Sequence, residues 1–156
     1  MRGLPTSRCF VGRVPESQAI AAYLQPLQPK NQTGRKVLII QAHAGMGKTQ
    51  LSIQYCRQYH HVYSGVFWID CTTHDSLLRS FTGLVHRIPQ DELGQQAQMF
   101  ARLGRGDFDT VTQEILDWFS LRTNFQWLIV FDNVDNTFAG SDSKIQDYFP
   151  VADQGG

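Results

Sequence analysis

The sequence predicts an α/β fold with a parallel sheet, and three apolar runs carry that prediction. Residues 37–41, 65–70 and 126–131 have the length and the β-branched or aromatic content of strands buried on both faces. Stretches with apolar side chains at helical spacing separate them, so strand and helix alternate as a parallel sheet requires. A glycine-bearing turn follows the first run. The second ends on Asp70 and the third runs into Asp132, at the carboxyl ends of strands, where open α/β sheets place their ligands.

Taken in order, residues 1–8 are a tail without the apolar centre of a signal peptide. Pro15 and Glu16 suit the first turn of a helix whose face is Ile20, Tyr23, Leu24 and Leu27, broken near Pro26. Residues 28–35 are polar, with Pro and Gly punctuation, and lead as a loop into the first strand. After the glycine turn, Leu51, Tyr55, Cys56 and Tyr59 recur at helical spacing up to His60 and His61, a pair expected to face solvent or the terminal carbonyls rather than a metal.

Beyond the second strand, Asp70 with Thr72 or Thr73 is expected to organise the turn and cap the next helix, with a ligand-facing role for Asp70 as the alternative. Leu77, Leu78, Phe81, Leu84, Val85 and Ile88 trace one helical face until Pro89 stops it. A weaker helix is expected over 91–103, ended by Gly104 and Gly106. Thr110 and Gln113 resemble a capping box, opening a helix that buries Val111, Ile115, Leu116, Trp118 and Phe119.

Two stretches carry chemistry. Residues 42–49 match the phosphate-loop pattern G-x-x-x-x-G-K-[ST], with Ala42 in place of the first glycine. In such a loop the N–H groups of Gly45, Met46, Gly47, Lys48 and Thr49 turn inward around phosphate oxygens, and the following helix points its positive end at them. Lys48 supplies a point charge to the β- and γ-phosphates, and the Thr49 hydroxyl a position beside Mg²⁺. Residues 126–135 form an apolar strand tipped by Asp132, the Walker B pattern, in which the carboxylate holds Mg²⁺ directly or through water. The next residue is Asn133, where many ATPases of the strand-catalytic-glutamate division carry a carboxylate. An amide cannot accept a proton, so hydrolysis is expected to be slow unless Asp135 substitutes.

Composition bounds the rest. The 156 residues hold 14 Lys+Arg against 14 Asp+Glu, so the overall charge points to neither nucleic acid nor an acidic membrane. Cys9, Cys56 and Cys71 are odd in number and lack C-x-x-C spacing, which argues against a disulfide framework and a zinc site. No apolar run approaches transmembrane length. A soluble, cytoplasmic protein is expected.

Residues 10–13, 42–50, 66–70 and 127–135 together resemble the NB-ARC domain of signal-transduction ATPases, especially fungal NOD-like receptors. The resemblance runs from residue 9 to residue 156. It implies a P-loop NTPase fold, three-layer α/β/α, here ending before the fourth core strand, which in that family lies between the phosphate-loop strand and the Walker B strand. It implies a nucleotide switch in signal transduction and innate immunity: ADP holds a closed monomer, and exchange for ATP opens it to homo-oligomerise. It places adenine against Val11 and Arg13, phosphate on Gly45, Met46, Gly47, Lys48, Thr49 and Gln50, and Mg²⁺ on Thr49 and Asp132. Lys48 and Asp132 become the catalytic pair of at most a slow ATPase. The family's sensor arginine, fifth strand, and helical and winged-helix subdomains have no counterpart in these residues.

Two other readings stay open. A small P-loop kinase or nucleotidase is disfavoured because residues 133–156 contain none of the arginines expected of a kinase lid. A non-binding interaction fragment is the other. The guanine-reading N-K-x-D motif of GTPases is absent.

Overall fold

A computed structural model of the chain describes residues 13–24, 35–121, 123–124, 126–134 and 144–151. Among the described residues, five helices and two strands run in the order α1 (Val14–Leu24), α2 (Lys48–Tyr59), β1 (Gly65–Asp70), α3 (His74–Thr82), α4 (Gln95–Leu103), α5 (Phe108–Phe119) and β2 (Trp127–Asp132). Short 3-10 turns follow α2 and α3, and another spans Ile145–Tyr148.

The two strands pair in parallel, Gly65 beside Trp127 through to Asp70 beside Asp132. Side chains alternate across the pair with period two, as a pleated strand demands. Phe67, Ile69, Trp127, Ile129 and Phe131 join one apolar cluster with α3, α4 and α5. Val66, Trp68, Leu128 and Val130 join a second with Ile20 and Ala21 of α1 and Leu51, Tyr55 and Cys56 of α2. The chain is therefore α/β, with apolar helix faces applied to both sides of a small parallel sheet.

Residues 37–41 depart from expectation: they form no strand. Ile39 is 82% exposed, and Val37 and Leu38 are exposed as well. Only Ile40 packs, against the second cluster. Apolar content makes a segment competent to be a strand, but a strand exists only through a ladder, and the described sheet is β1 and β2 alone. The expected third member of the sheet lies outside it.

Helix boundaries follow side-chain chemistry that the apolar pattern hides. The cap of α5 is Asp107, whose carboxylate accepts from Thr110 N–H at 3.1 Å, so the helix begins three residues before the expected box. Helix α4 has no side-chain cap of its own. Glu114 of α5 instead accepts from Gln96 N–H at 3.2 Å and Ala97 N–H at 2.7 Å, placing a carboxylate on a positive helix end. Thr73 caps α3 by accepting from Ser76 N–H, as expected. The face read for 77–88 is buried, but the α-helix tightens into a 3-10 turn at Gly83–His86 before Pro89. Tyr23, expected on the inner face of α1, is exposed.

Phe119 is the aromatic centre of the larger cluster. It is fully buried, with ring centroids 4.8 Å from Phe67, 5.1 Å from Trp118 and 5.3 Å from Trp127. Replacement by alanine removes those contacts and leaves a cavity. We expect Phe119→Ala to lower unfolding free energy by about 3–5 kcal/mol, read from the urea midpoint.

Burial pushes the Cys56 and Cys71 thiols up to about 12. Both are fully buried and free. Peptides containing them should stay unlabelled by iodoacetamide at pH 8 in the native chain and become labelled in urea, as mass spectrometry of the digest will show.

Candidate functional site

The candidate phosphate loop, residues 42–49, is built around two glycines in the left-handed region. Gly45 has φ 78° and Gly47 φ 77°, values an L side chain resists whatever the surrounding space. Gly47 is also the residue from which α2 springs, and its carbonyl accepts from Leu51 N–H at 2.9 Å. The first turn of α2 holds Lys48, Thr49 and Gln50, so these residues and the N-terminal amides share one helix end. No carboxylate occupies that turn. The positive end of α2 is met by no acidic side chain of its own.

Lys48 folds back across the loop. Its ammonium donates to the Ala42 carbonyl at 2.7 Å and is 3.5 Å from that of His43. The alanine that replaces the expected glycine therefore contributes its backbone oxygen. Arg13, at the start of α1 with φ 61°, donates from its guanidinium to the Met46 carbonyl. It ties the start of α1 to the glycine loop, a contact the sequence did not reveal. Val11, the other adenine-contact candidate, and Asp135 lie outside the described residues.

Asp132 comes to the same place from the far end of the chain. The Thr49 hydroxyl donates to its carboxylate, 3.0 Å from Oδ1 and 3.1 Å from Oδ2. Eighty-three residues separate the two in sequence. The Asn133 N–H also donates to Asp132 Oδ1 at 3.1 Å, and Asn133 takes a left-handed φ of 63°.

This hydroxyl and carboxylate fit Mg²⁺. Among the described residues no group of three or more His, Cys, Asp or Glu is arranged around a common point. Magnesium at a phosphate site needs no such cage, because one or two protein oxygens suffice when phosphate and water supply the rest. Thr49 Oγ1 and Asp132 are hard oxygen donors of the right kind and number.

Beside Asp132, in register on β1, stands Asp70. Its Oδ1 accepts from the Thr72 hydroxyl at 2.5 Å and the Thr72 N–H at 3.0 Å, with the Asn133 amide nitrogen at 3.4 Å. The Thr72 hydroxyl holds this carboxyl below the usual carboxylate range against the opposing cost of burial, with the Thr72 N–H and Asn133 amide adding to the lowering. The turn-organising expectation for Asp70 is met, and the ring it forms reaches the strand tip after Asp132.

A separate cleft of about 300 Å³ opens near Gly65 and Trp127, the residues that begin the two strands. Its polar groups are engaged in structure: Trp118 Nε1 donates to Glu92 at 2.7 Å, and Arg87 lies over the Phe67 ring while donating to the Val66 carbonyl. It lies at the opposite strand ends from Asp132.

No helix among the described residues is long and apolar enough to cross a membrane. No protein-family model matches the chain, no characterised protein matches it in sequence, and no solved structure matches it in fold.

Proposed function

We propose that this chain is the nucleotide-binding module of an NB-ARC-type signalling switch, taking ADP or ATP with Mg²⁺ and hydrolysing it slowly. One observation carries the reading: Thr49 and Asp132, predicted independently from a phosphate-loop motif and a strand-tip motif, touch each other. In this reading the α2 amides and Lys48 hold the polyphosphate, while Thr49 and Asp132 hold the ion. Mg²⁺, when bound, neutralises charge on the phosphate oxygens. Lys48 exchanges its loop carbonyls for phosphate, and Arg13 steadies the Met46 peptide at the loop's crest.

The three-layer P-loop architecture, the cytoplasmic setting and homo-oligomerisation in the ATP form belong to the same proposal. The two buried, unpaired cysteines suit a reducing compartment.

Competition between a fluorescent ADP analogue and unlabelled ADP, ATP and GTP, with and without Mg²⁺, tests the reading. Adenine nucleotides should displace the probe at least tenfold more effectively than GTP. Equal displacement by GTP would remove the adenine assignment.

A further inference from the structure

The cleft at the amino ends of the two strands takes no part in the site around Asp132, and its walls hold two opposite charges. Phe67, Arg87, Glu92, Trp118 and Trp127 line it, around a space of about 300 Å³. That volume stands at the lower end of the roughly 300–1,000 Å³ usual for small-molecule sites, which suits a molecule of amino-acid size.

Arg87 is held in place on two sides. Its guanidinium carbon lies 4.6 Å from the centroid of the Phe67 ring, and Nη2 donates to the Val66 carbonyl at 3.0 Å. A stacked and tethered guanidinium has already given up much of the freedom that binding removes. The backbone makes room for the stack: a Cβ at Gly65 would stand 2.7 Å from Phe67 Cε2, so glycine lets the ring lie where it does. Of the donors on this planar fork, one is spent on Val66.

Glu92 is fixed in the same manner. Its Oε2 accepts from Trp118 Nε1 at 2.7 Å, which leaves Oε1 for another donor. Arg87 and Glu92 line one cleft, yet among the described residues neither makes an ion pair within 4.0 Å, where Arg79 and Asp75 do. Two restrained charges of opposite sign that do not neutralise each other match a ligand carrying both signs. Trp118, half-buried between solvent and the core, offers an indole to its apolar part.

We infer that this cleft binds a small zwitterion of the amino-acid class, with its carboxylate on Arg87, its ammonium on Glu92 and its apolar side chain on Trp118. A simple anion would meet Glu92 and a simple cation would meet Arg87, so the pair selects against molecules bearing one charge. The inference does not depend on the nucleotide reading, whose residues stand at the other ends of the strands.

Three probes of one ring size test it on the full chain: phenylalanine, 2-phenylethylamine, which lacks the carboxylate, and 3-phenylpropionate, which lacks the ammonium. The readout is the Trp118 indole N–H resonance. Phenylalanine should shift it saturably, and each of the other two should bind at least about tenfold more weakly, the lower range for losing a charge-assisted contact. In Arg87→Gln, phenylalanine and 2-phenylethylamine should bind equally to within about twofold, because the carboxylate has lost its partner. In Glu92→Gln, which keeps an oxygen for Trp118, phenylalanine and 3-phenylpropionate should become equal instead. Both positions are exposed, so far-ultraviolet spectra should match wild type. No saturable shift with phenylalanine, equal binding of the three probes to wild type, or an unchanged preference in either folded variant would overturn the inference.

Discussion

Lys48→Ala is expected to weaken ADP and ATP binding by roughly ten- to a hundredfold, the equivalent of about 1.5–3 kcal/mol for a charge-assisted contact. The ammonium is the one side-chain cation at the start of α2, held over the loop by the Ala42 carbonyl at 2.7 Å. Truncation removes that charge and its two contacts to the loop backbone, and none of the residues in either apolar cluster. The far-ultraviolet spectrum should therefore be that of wild type. The assignment of Lys48 to phosphate fails if ADP affinity is unchanged in a folded Lys48→Ala protein.

The second large effect concerns the sheet. Among the described residues two strands are paired, and residues 37–39 expose Val, Leu and Ile side chains outside that ladder. Exposed apolar segments beside open strand edges recruit other chains. We expect the 156-residue chain to aggregate in a concentration-dependent way and to lose structure below about 60 °C, within or under the usual mesophile range. Ile39→Lys should suppress aggregation while shifting unfolding free energy by no more than about 0.5 kcal/mol, as for an exposed position. Were Ile39 in a strand buried on both faces, the same change would bury an unpaired charge and unfold the chain. Light scattering and a urea titration on the two proteins separate these outcomes.

Residues 65–70 and 126–131 could be read as strands because each is apolar on both faces, and each face finds a cluster of helix side chains. Residues 37–41 have the same composition, and the reading failed there for a reason composition does not contain. Strand formation depends on a neighbour, and the neighbour is a property of the assembled sheet. Helix interiors were legible from spacing, whereas the Asp107 cap of α5 and the Glu114 carboxylate on α4 depend on single polar atoms.

The candidate site divides in the same way. Lys48 and Thr49 were legible because a phosphate loop is local in sequence, and Asp132 because it tips an apolar run. Their meeting required the fold. Asp70 drew notice only as a turn residue. Its contact with Asn133 is set by a parallel register that aligns residues 62 positions apart, 70 with 132. Arg13 was assigned to adenine by resemblance, and the structure puts its guanidinium on the Met46 carbonyl, a loop-bracing role that motif spacing does not encode.

The central claim is that Thr49 and Asp132 are two protein oxygens of a magnesium–nucleotide site. Calorimetric titration of the purified chain with ADP, in Mg²⁺ and then in EDTA, tests it most directly when repeated on Thr49→Val and Asp132→Asn. The account predicts saturable one-to-one binding that weakens in EDTA, and variants whose ADP affinity no longer responds to Mg²⁺. Wild-type binding that is indifferent to Mg²⁺, or the same Mg²⁺ response in both variants, would contradict it.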